Sequence, residues 1–303
     1  RSSDLGLSVA YAEATAGAGT VDLSAALDTL TGKYDGIAVS NHDANTVADL
    51  LAHLTACNTA TAKKWRRSWM AETGSISAAT VHAGSFNDVA AMVLCCEGAE
   101  SLTGELAGAA AALYHTASRP NPNLNGAKLV GFPPVAANAF IDSELETVLG
   151  VGVSPLLPVT NGLTGSVIDG LVKINKLTTT RTLDGTTPLE WPRLPCVSQV
   201  GWAIAEQIDA KFVERFGPDA NPDGALADGA VLGRVRDLIV DVLYTAEDAK
   251  WIKNVSDTLA AIQTEIDGAV SSRVNAALEY VPVPPLDQAA FMHRVSQSVT
   301  LNR

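Results

Sequence analysis

The sequence predicts an α/β or α+β fold in which a β-sheet is covered by helices. In the first half of the chain, short strand-like stretches alternate with helical ones, as in layered structures rather than bundles or sandwiches. Residues 90–96 form a short apolar run without charge, which indicates a fully buried strand. Near the C-terminus apolar residues recur at alternate positions, which indicates half-buried strands.

The first elements are short and clearly separated. Asp22 or Ser24 can cap a short helix that runs to residue 30, and residues 34–39 form a compact strand. The next helix begins at Asn45 or Thr46 and carries one apolar stripe, which predicts packing against a sheet. This stripe consists of Val47, Leu50, Leu51 and Leu54.

The middle of the chain alternates regular and irregular segments. The helix continues into the basic run 63–69, and after the buried strand an alanine-rich helix spans residues 101–117. Prolines and asparagines make residues 119–134 irregular. A short helix over residues 141–149 follows.

A β-ribbon is predicted over residues 154–187. The pairs Asn161-Gly162 and Asp184-Gly185 are hairpin signals, because the central residues of a tight turn favour positive φ. Three further helices are predicted after it, over residues 197–216, 231–244 and 257–270.

Two strands are predicted in the last thirty residues. Apolar and polar residues alternate over 274–280, and prolines end that strand. A second strand runs from Phe291 almost to the C-terminus. One of its faces carries Phe291, His293, Val295, Gln297, Val299 and Leu301.

Composition limits the classes of function. The chain has 303 residues, of which 47% are hydrophobic and 18% charged, so it can bury a large core. The net charge of -12 argues against a phosphate-binding surface for nucleic acid. Four cysteines without metal-ligand spacing fit a reducing compartment. No apolar run reaches the ~20 residues needed to cross a bilayer.

Motifs for chemistry are not found, and the sequence predicts no catalytic, cofactor-binding or metal-binding residue. The five histidines have no metal-ligand spacing, and residues 81–85 lack the strand-turn-helix flank of a nucleophile elbow. Gly17-Ala18-Gly19 resembles a dinucleotide loop, but Asp22 in the third glycine position would repel a pyrophosphate. Cys95 and Cys96 are predicted to pack rather than react.

The basic run 63–69 has two interpretations. Its members Lys63, Lys64, Arg66 and Arg67 stand among tryptophans, a combination that can bind single-stranded nucleic acid. At this net charge the favoured interpretation is a solvated helix end, or a patch that meets an acidic patch on another copy of the chain.

Three segments, taken in order, carry a family resemblance. They are the alanine-rich stretch 18–27 leading into 34–39, the helix 101–117 with the loop 118–131, and the ribbon 167–184. The loop contains an arginine-proline pair, and the ribbon contains three consecutive threonines. In this order the segments resemble the core of contractile-tail sheath proteins, particularly those of Mu-like phages, a family related to the sheaths of contractile injection systems.

The resemblance implies a structural protein and no enzyme. It implies an α/β core with a central mixed sheet, in subunits that polymerise as hexameric rings around the tail tube of a virion. Contraction of this sheath would drive the tube through the host envelope. The implied partners are copies of the chain itself, the tube protein, and the baseplate and tail terminator proteins, with no direct nucleic acid, no membrane insertion and no cofactor. Assembly would take place in the host cytoplasm.

The resemblance also suggests a division of the chain. Residues 1–135 and 136–290 would form the two halves of the core, and residues 291–303 a C-terminal arm whose strand adds to the sheet of a neighbouring subunit. The last third departs from the family pattern, with prolines at 282–285 in place of a longer polar linker. No N-terminal arm or outer domain is recognisable at the start.

Two other classes of protein remain open. An α/β enzyme whose catalytic groups converge only in the fold would show no sequence motif. A tube, baseplate or other tail component would lack the hollow cylinders of two lengths that a sheath forms.

Overall fold

The computed structural model describes a central sheet, the helices on both of its faces and a smaller helical layer. It describes residues 22–31, 36–59, 62–99, 101–117, 120, 122, 124–134, 140–181, 183–184, 187–188, 195–216, 229–266 and 274–283. None of the helices in these ranges combines the length and apolar character that a bilayer-spanning helix needs.

Strands and helices alternate along the described chain. The strands are β1 (Gly36–Val39), β2 (Arg67–Glu72), β3 (Ala91–Cys95), β4 (Lys128–Val130), β5 (Val153–Thr160), β6 (Val167–Ile174), β7 (Leu183–Asp184), β8 (Thr187–Pro188), β9 (Ile252–Lys253), β10 (Gln263–Ile266), β11 (Val274–Ala277) and β12 (Val281–Pro282). The helices are α1 (Ser24–Asp28), α2 (Ala44–Cys57), α3 (Ile76–Phe86), α4 (Thr103–His115), α5 (Asp142–Gly150), α6 (Pro195–Phe216), α7 (Gly229–Asp248) and α8 (Val255–Thr258), with a 3-10 turn at Leu259–Ala261.

The largest sheet in the described ranges has six strands in the order β1-β2-β3-β5-β6-β4. Strands β1, β2, β3 and β5 are parallel, because helices carry the chain back between them. Strands β6 and β4 are antiparallel to their neighbours. The predicted α/β class and the mixed sheet are confirmed.

The central strands β2 and β3 are buried on both faces of the sheet. Successive side chains of β3 point to opposite sides, so Met92 and Leu94 pack towards α4 while Val93 and Cys95 pack towards α2, α3 and α5. All of β3 is buried, as the uncharged run predicts. Each fully buried leucine in these layers stabilises the fold by about 1.5–3 kcal/mol.

Side-chain caps determine where two of the helices begin. The Asp43 carboxylate accepts a hydrogen bond from the Thr46 N–H at 2.7 Å and caps α2, which begins at Ala44, one residue before the earlier of the two predicted starts. The Ser75 hydroxyl accepts from the Ala78 N–H at 3.1 Å and starts α3.

A second core lies between α6, α7 and the short strands near the C-terminal end of the described chain. The helices meet through apolar side chains, and β9 and β12 pair beside them. Its fully buried members are Val200, Leu238, Ile239, Val242, Leu243 and Ala246. The predicted helices over 197–216 and 231–244 are therefore confirmed, with extensions of a few residues.

The predicted continuation of the helix into residues 63–69 is wrong. Helix α2 ends at Cys57, and Arg67 begins the buried strand β2. Positive φ angles of 50° at Lys63 and 48° at Trp65 interrupt the helical backbone. The Asn58 side chain then bonds both backbone groups of Arg66, at 2.6 and 2.7 Å, and directs the chain into the sheet.

The predicted helix over residues 257–270 is also wrong in its described part. Helix α8 ends at Thr258, a 3-10 turn follows, and β10 pairs with β11 from Gln263 onward. The apolar residues there fit a helical period as well as a strand, and pairing with β11 selects the strand. Residues 267–270 lie outside the described residues.

The predicted β-ribbon is confirmed as hairpins. Strands β5 and β6 pair, and β7 pairs with β8. Gly185 of the predicted Asp184-Gly185 turn lies outside the described residues. The connection between β5 and β6 is longer than the two-residue turn that Asn161-Gly162 predicts, because the Asn161 N–H donates to the Ser166 carbonyl at 2.8 Å. Positive φ falls instead on Gly165, at 69°.

The sheet contains strands from both sides of residue 135. Strand β4 precedes that position and pairs with β6, which follows it. The boundary between two halves of the core stays a prediction, but it does not separate two sheets.

Candidate functional site

Arg66, predicted in the basic patch, is completely buried. Its Nη2 donates to the Leu30 carbonyl at 2.6 Å, and its Nη1 lies against His53 Nε2 and, at 3.3 Å, Cys57 Sγ. Burial, and secondarily the Arg66 charge, lower the pKa of His53 below its ordinary value. Arg66 therefore joins α2 to the loop after α1.

Arg67 is also completely buried and joins the sheet to the helical layer. Its guanidinium donates to the Val89 carbonyl at 2.9 Å, to the Pro195 carbonyl at 3.2 Å and to Ser198 Oγ at 2.9 Å. It also stacks on the Trp202 ring, 4.8 Å from the centroid. These contacts of Arg67 hold the start of α6 against β2.

The predicted basic patch thus does not form as one exposed surface. Lys63 is exposed and forms an ion pair of 2.5 Å with Asp209 on α6, and Lys64 is partly exposed. Trp65 stacks on Trp202, with centroids 5.9 Å apart and an angle of 20° between the rings. The tryptophans and arginines of this segment mainly join parts of one chain. A contact through Lys63 and Lys64 with another copy stays a prediction.

A buried aromatic group lies beside Arg67. Trp69 Nε1 donates to His115 Nε2 at 3.1 Å, and Tyr114 packs against both rings. Burial, and secondarily the Arg67 charge, lower the pKa of His115 to about 3. His115 is therefore a neutral hydrogen-bond acceptor at physiological pH.

A cluster of His42, Glu72 and His82 lies where the first parallel strands end. His42 Nδ1 is 3.2 Å and His82 Nε2 is 3.4 Å from Glu72 Oε2, and the imidazole centroids are 5.1 Å apart. The other carboxylate oxygen of Glu72 accepts from the Gly74 N–H at 2.6 Å. Within the described ranges this is the group of histidine and acidic side chains with the spacing of a metal site.

Sequence reasoning missed this cluster. Positions 42, 72 and 82 fall on a loop, a strand end and a helix, so no local spacing connects them. The signal that could have found them is positional, because the carboxyl ends of neighbouring parallel strands meet at one edge. Burial lowers the pKa of His42, although the charge of Glu72 opposes that shift.

The adjacent cysteines are buried thiols. Burial raises the pKa of Cys95 to about 12 and that of Cys96 to about 11. Nucleophilic attack requires the thiolate, which these pKa values disfavour. The prediction that Cys95 and Cys96 pack is confirmed by their place in the core.

Exposed apolar side chains lie on two parts of the described surface. Leu163, at the tip of the β5–β6 hairpin, is 98% exposed, and Val130 on the edge strand β4 is 77% exposed. On α6, Val213 is exposed, and the rings of Phe212 and Phe216 on the same helix are tilted by 33° with centroids 5.0 Å apart. The predicted C-terminal strand, from Phe291 to Leu301, lies outside the described residues.

Comparison with known proteins supports the fold. No protein-family model matches this sequence, and no curated protein matches it. A sheath tail protein of Desulfitobacterium hafniense shares the fold over 88% of this chain, with a TM-score of 0.56 and 12% identity. A sheath tail protein of Listeria innocua does so over 84%, with a TM-score of 0.61 and 13% identity.

A third solved structure matches over 91% of the chain. It is a chain in the cryo-EM structure of the anti-feeding prophage baseplate, with a TM-score of 0.59 and 12% identity. The chain shares the fold of these sheath tail proteins, as its sequence resemblance predicts. It spans 61%, 73% and 55% of the lengths of the Desulfitobacterium, baseplate and Listeria chains, respectively.

Proposed function

We propose that this chain is a structural, non-enzymatic subunit of a contractile tail sheath. The observation that carries the proposal is the fold shared over 88% and 84% of the chain with two sheath tail proteins. In this function, hexameric rings of the chain stack around a tail tube and shorten to drive it through the host envelope. No bound nucleotide is needed, because the extended polymer stores the free energy at assembly.

The subunits would be joined by strand addition. Strands β10 and β11 form a sheet of two short strands within the described chain, and a two-stranded sheet is marginally stable alone. A third strand from another copy would satisfy its edge backbone groups. The face that carries Phe291, His293, Val295, Gln297, Val299 and Leu301 makes the C-terminal segment suitable for this.

Surface chemistry suggests further contacts of the assembled sheath. The exposed Leu163 and Val130 are candidates for apolar contact with the tube protein or another copy. Lys63 and Lys64 are candidates for contact with an acidic surface, which a chain of net charge -12 offers. The ends of the polymer would meet baseplate and tail terminator proteins, in a virion tail assembled in the host cytoplasm.

A baseplate component is the second candidate function. The match to the anti-feeding prophage baseplate structure favours it. The present protein spans 73% of the matched chain there, compared with 61% and 55% of the two sheath tail proteins. A baseplate component would form rings or wedges of defined size. A sheath would form cylinders of two lengths.

The test is negative-stain electron microscopy of the purified protein at rising concentration and at two salt concentrations. Striated tubes or stacked rings are expected. Their formation should increase with salt, because salt screens the repulsion between acidic copies. Deletion of residues 291–303 should abolish the tubes while far-ultraviolet circular dichroism stays nearly unchanged.

A matched pair of variants tests the strand itself. Val295→Asp with Val299→Asp places two charges on the apolar face and should prevent assembly. Ser296→Asp with Ser298→Asp adds the same charge on the other face and should assemble like the parent chain. Particles of one defined ring size would favour the baseplate component. Monomers under every condition would contradict both assembly functions and favour the enzyme.

A further inference from the structure

We propose that His42, Glu72 and His82 form a binding site for one divalent transition-metal ion of the zinc class. Two imidazole nitrogens and one carboxylate oxygen lie within 4.8 Å of one another. This donor set matches that of three-ligand zinc sites and differs from the all-oxygen sets that Mg²⁺ and Ca²⁺ prefer. The proposal concerns a single chain and does not depend on whether the chain forms a sheath.

The backbone of three elements brings the ligands together. His42 lies just after β1, Glu72 is the last residue of β2, and His82 is on α3. Parallel strands β1 and β2 end at the same edge of the sheet, and α3, which follows β2, packs on one face of the sheet. The site is thus built on rigid elements rather than on a surface loop alone.

The distances fit shared coordination of an ion. Tetrahedral ligands about 2.0–2.1 Å from Zn²⁺ stand about 3.4 Å from one another. The separations from Glu72 Oε2, 3.2 Å to His42 Nδ1 and 3.4 Å to His82 Nε2, are close to two edges of that tetrahedron. The third edge joins an imidazole nitrogen of His42 to one of His82. These two atoms are no more than 4.8 Å apart, so rotation of one imidazole can shorten the edge.

Direct hydrogen bonds account for only part of the cluster. The 3.2 Å separation from His42 Nδ1 is at the long end of the range for an N–H···O hydrogen bond, and the 3.4 Å separation from His82 Nε2 exceeds that range. Only one of the two carboxylate oxygens faces the imidazoles, while Oε1 accepts from the Gly74 N–H. That bond would orient Glu72 in the way that outer hydrogen bonds orient metal ligands.

The surroundings allow an ion to enter and be held. The side chains of His42, Glu72 and His82 are 16%, 11% and 19% exposed, so the site is largely desolvated but has access to solvent. Three ligands leave a fourth position for water or for a group from another molecule. A bound ion would link segments that are 30 and 10 positions apart and would stabilise this edge of the sheet.

The test uses Zn²⁺ itself, with the full chain stripped of metal. Titration calorimetry should show one ion bound per chain, and the midpoint of thermal unfolding should rise with Zn²⁺ but not with Mg²⁺. Glu72→Gln and His82→Gln should each weaken binding at least tenfold and remove the thermal shift. The control Glu105→Gln, which changes an exposed carboxylate on α4, should bind like the parent chain.

Cobalt substitution identifies the ligands. Co²⁺ should give the visible bands of a four-coordinate ion without a thiolate charge-transfer band, because the donor set of His42, Glu72 and His82 contains no cysteine. The proposal is overturned if the parent chain binds no Zn²⁺, if a thiolate band appears, or if both cluster variants retain the affinity of Glu105→Gln. Folding of each variant is checked without metal by circular dichroism, so lost binding cannot reflect unfolding.

Discussion

At the residue scale, the two buried arginines distinguish this structure most clearly from the pattern of its sequence. Burying a guanidinium is costly unless hydrogen bonds compensate for the lost water, and the two Nη atoms of Arg67 donate to two carbonyls and a hydroxyl. The same group fills the space beside Trp202. Arg67 therefore contributes both hydrogen bonds and packing to the contact between β2 and α6.

Replacing Arg67 by Met tests that role. The variant keeps most of the volume but leaves buried carbonyls without a donor, so the free energy of unfolding should fall by roughly 2–4 kcal/mol. Urea denaturation measures it. Arg215→Met is the control, because its ion pair with Asp241 is exposed and should contribute at most about 1 kcal/mol. Equal losses in the two variants would show that Arg67 does not fasten the layers.

The lowered pKa of His115 predicts how the stability of the protein depends on pH. Its folded pKa of about 3 lies below its ordinary value, so the unfolded chain binds a proton that the folded chain does not. Its contribution to stability is complete above about pH 6.5 and declines as the pH falls towards 3. His115→Gln should therefore reduce the loss of stability between pH 6 and 4 by about 1.4 kcal/mol per pH unit.

The measurement is the free energy of unfolding of both chains across that pH range. Differences between pH values are compared, so the packing cost of the substitution cancels. Above pH 7 the two chains should have parallel profiles. Parallel profiles below pH 6 would contradict the buried neutral imidazole.

At the element scale, helices α2 and α4 differ in how their N-termini are capped. Helix α2 has a side-chain cap at Asp43, whereas α4 begins after Leu102, which is exposed and provides no capping bond. Three residues after Leu102, Glu105 occupies the position that a capping box needs. Removing the cap of α2 and adding a cap to α4 should therefore change the free energy of unfolding in opposite directions.

Asp43→Ala should lower the free energy of unfolding by about 1 kcal/mol, because the Thr46 N–H loses its acceptor. Leu102→Ser should raise it by up to about 1 kcal/mol by completing the capping box. Thermal and urea unfolding of the two variants measure the expected decrease and the expected increase in the free energy of unfolding. A loss of stability in Leu102→Ser would mean that this leucine packs in a way that its exposure does not indicate.

At the scale of the whole molecule, the segment between β11 and β12 packs on the helical layer. A Cβ on Gly201 of α6 would overlap Tyr280 Oη, so glycine permits this approach. Burial also raises the pKa of Tyr280, which agrees with an enclosed hydroxyl. The contact joins α6 to the region of β11 and β12, where strand addition is proposed.

Gly201→Ala should destabilise the chain by roughly 1–3 kcal/mol through this overlap. In a Tyr280→Phe background the same substitution should be neutral or stabilising by up to about 1 kcal/mol, because alanine favours the helix. A double-mutant cycle of unfolding free energies measures the difference. Additive effects would contradict the packing of Tyr280 against α6.

The fold was largely predictable, and the site was not. Periodicity and turn residues predict helix α2, strand β3 and the β-ribbon to within a few residues of their observed bounds. The predicted helices over 63–69 and 257–270 are wrong where the chain forms β2 and β10, because pairing with neighbouring strands overrides the local pattern. The cluster at His42 could not be predicted from motifs, because its members approach one another only after the sheet forms.

The sequence by itself determined the α/β class, the mixture of helices and hairpins and the resemblance to sheath proteins. These depend on local preferences and on the order of segments along the chain. The tertiary structure decided which charged residues are buried, how the strands are ordered and which histidines meet a carboxylate. The physical reason is that burial and pairing depend on residues far apart in the chain, whose contacts form only when the layers pack together.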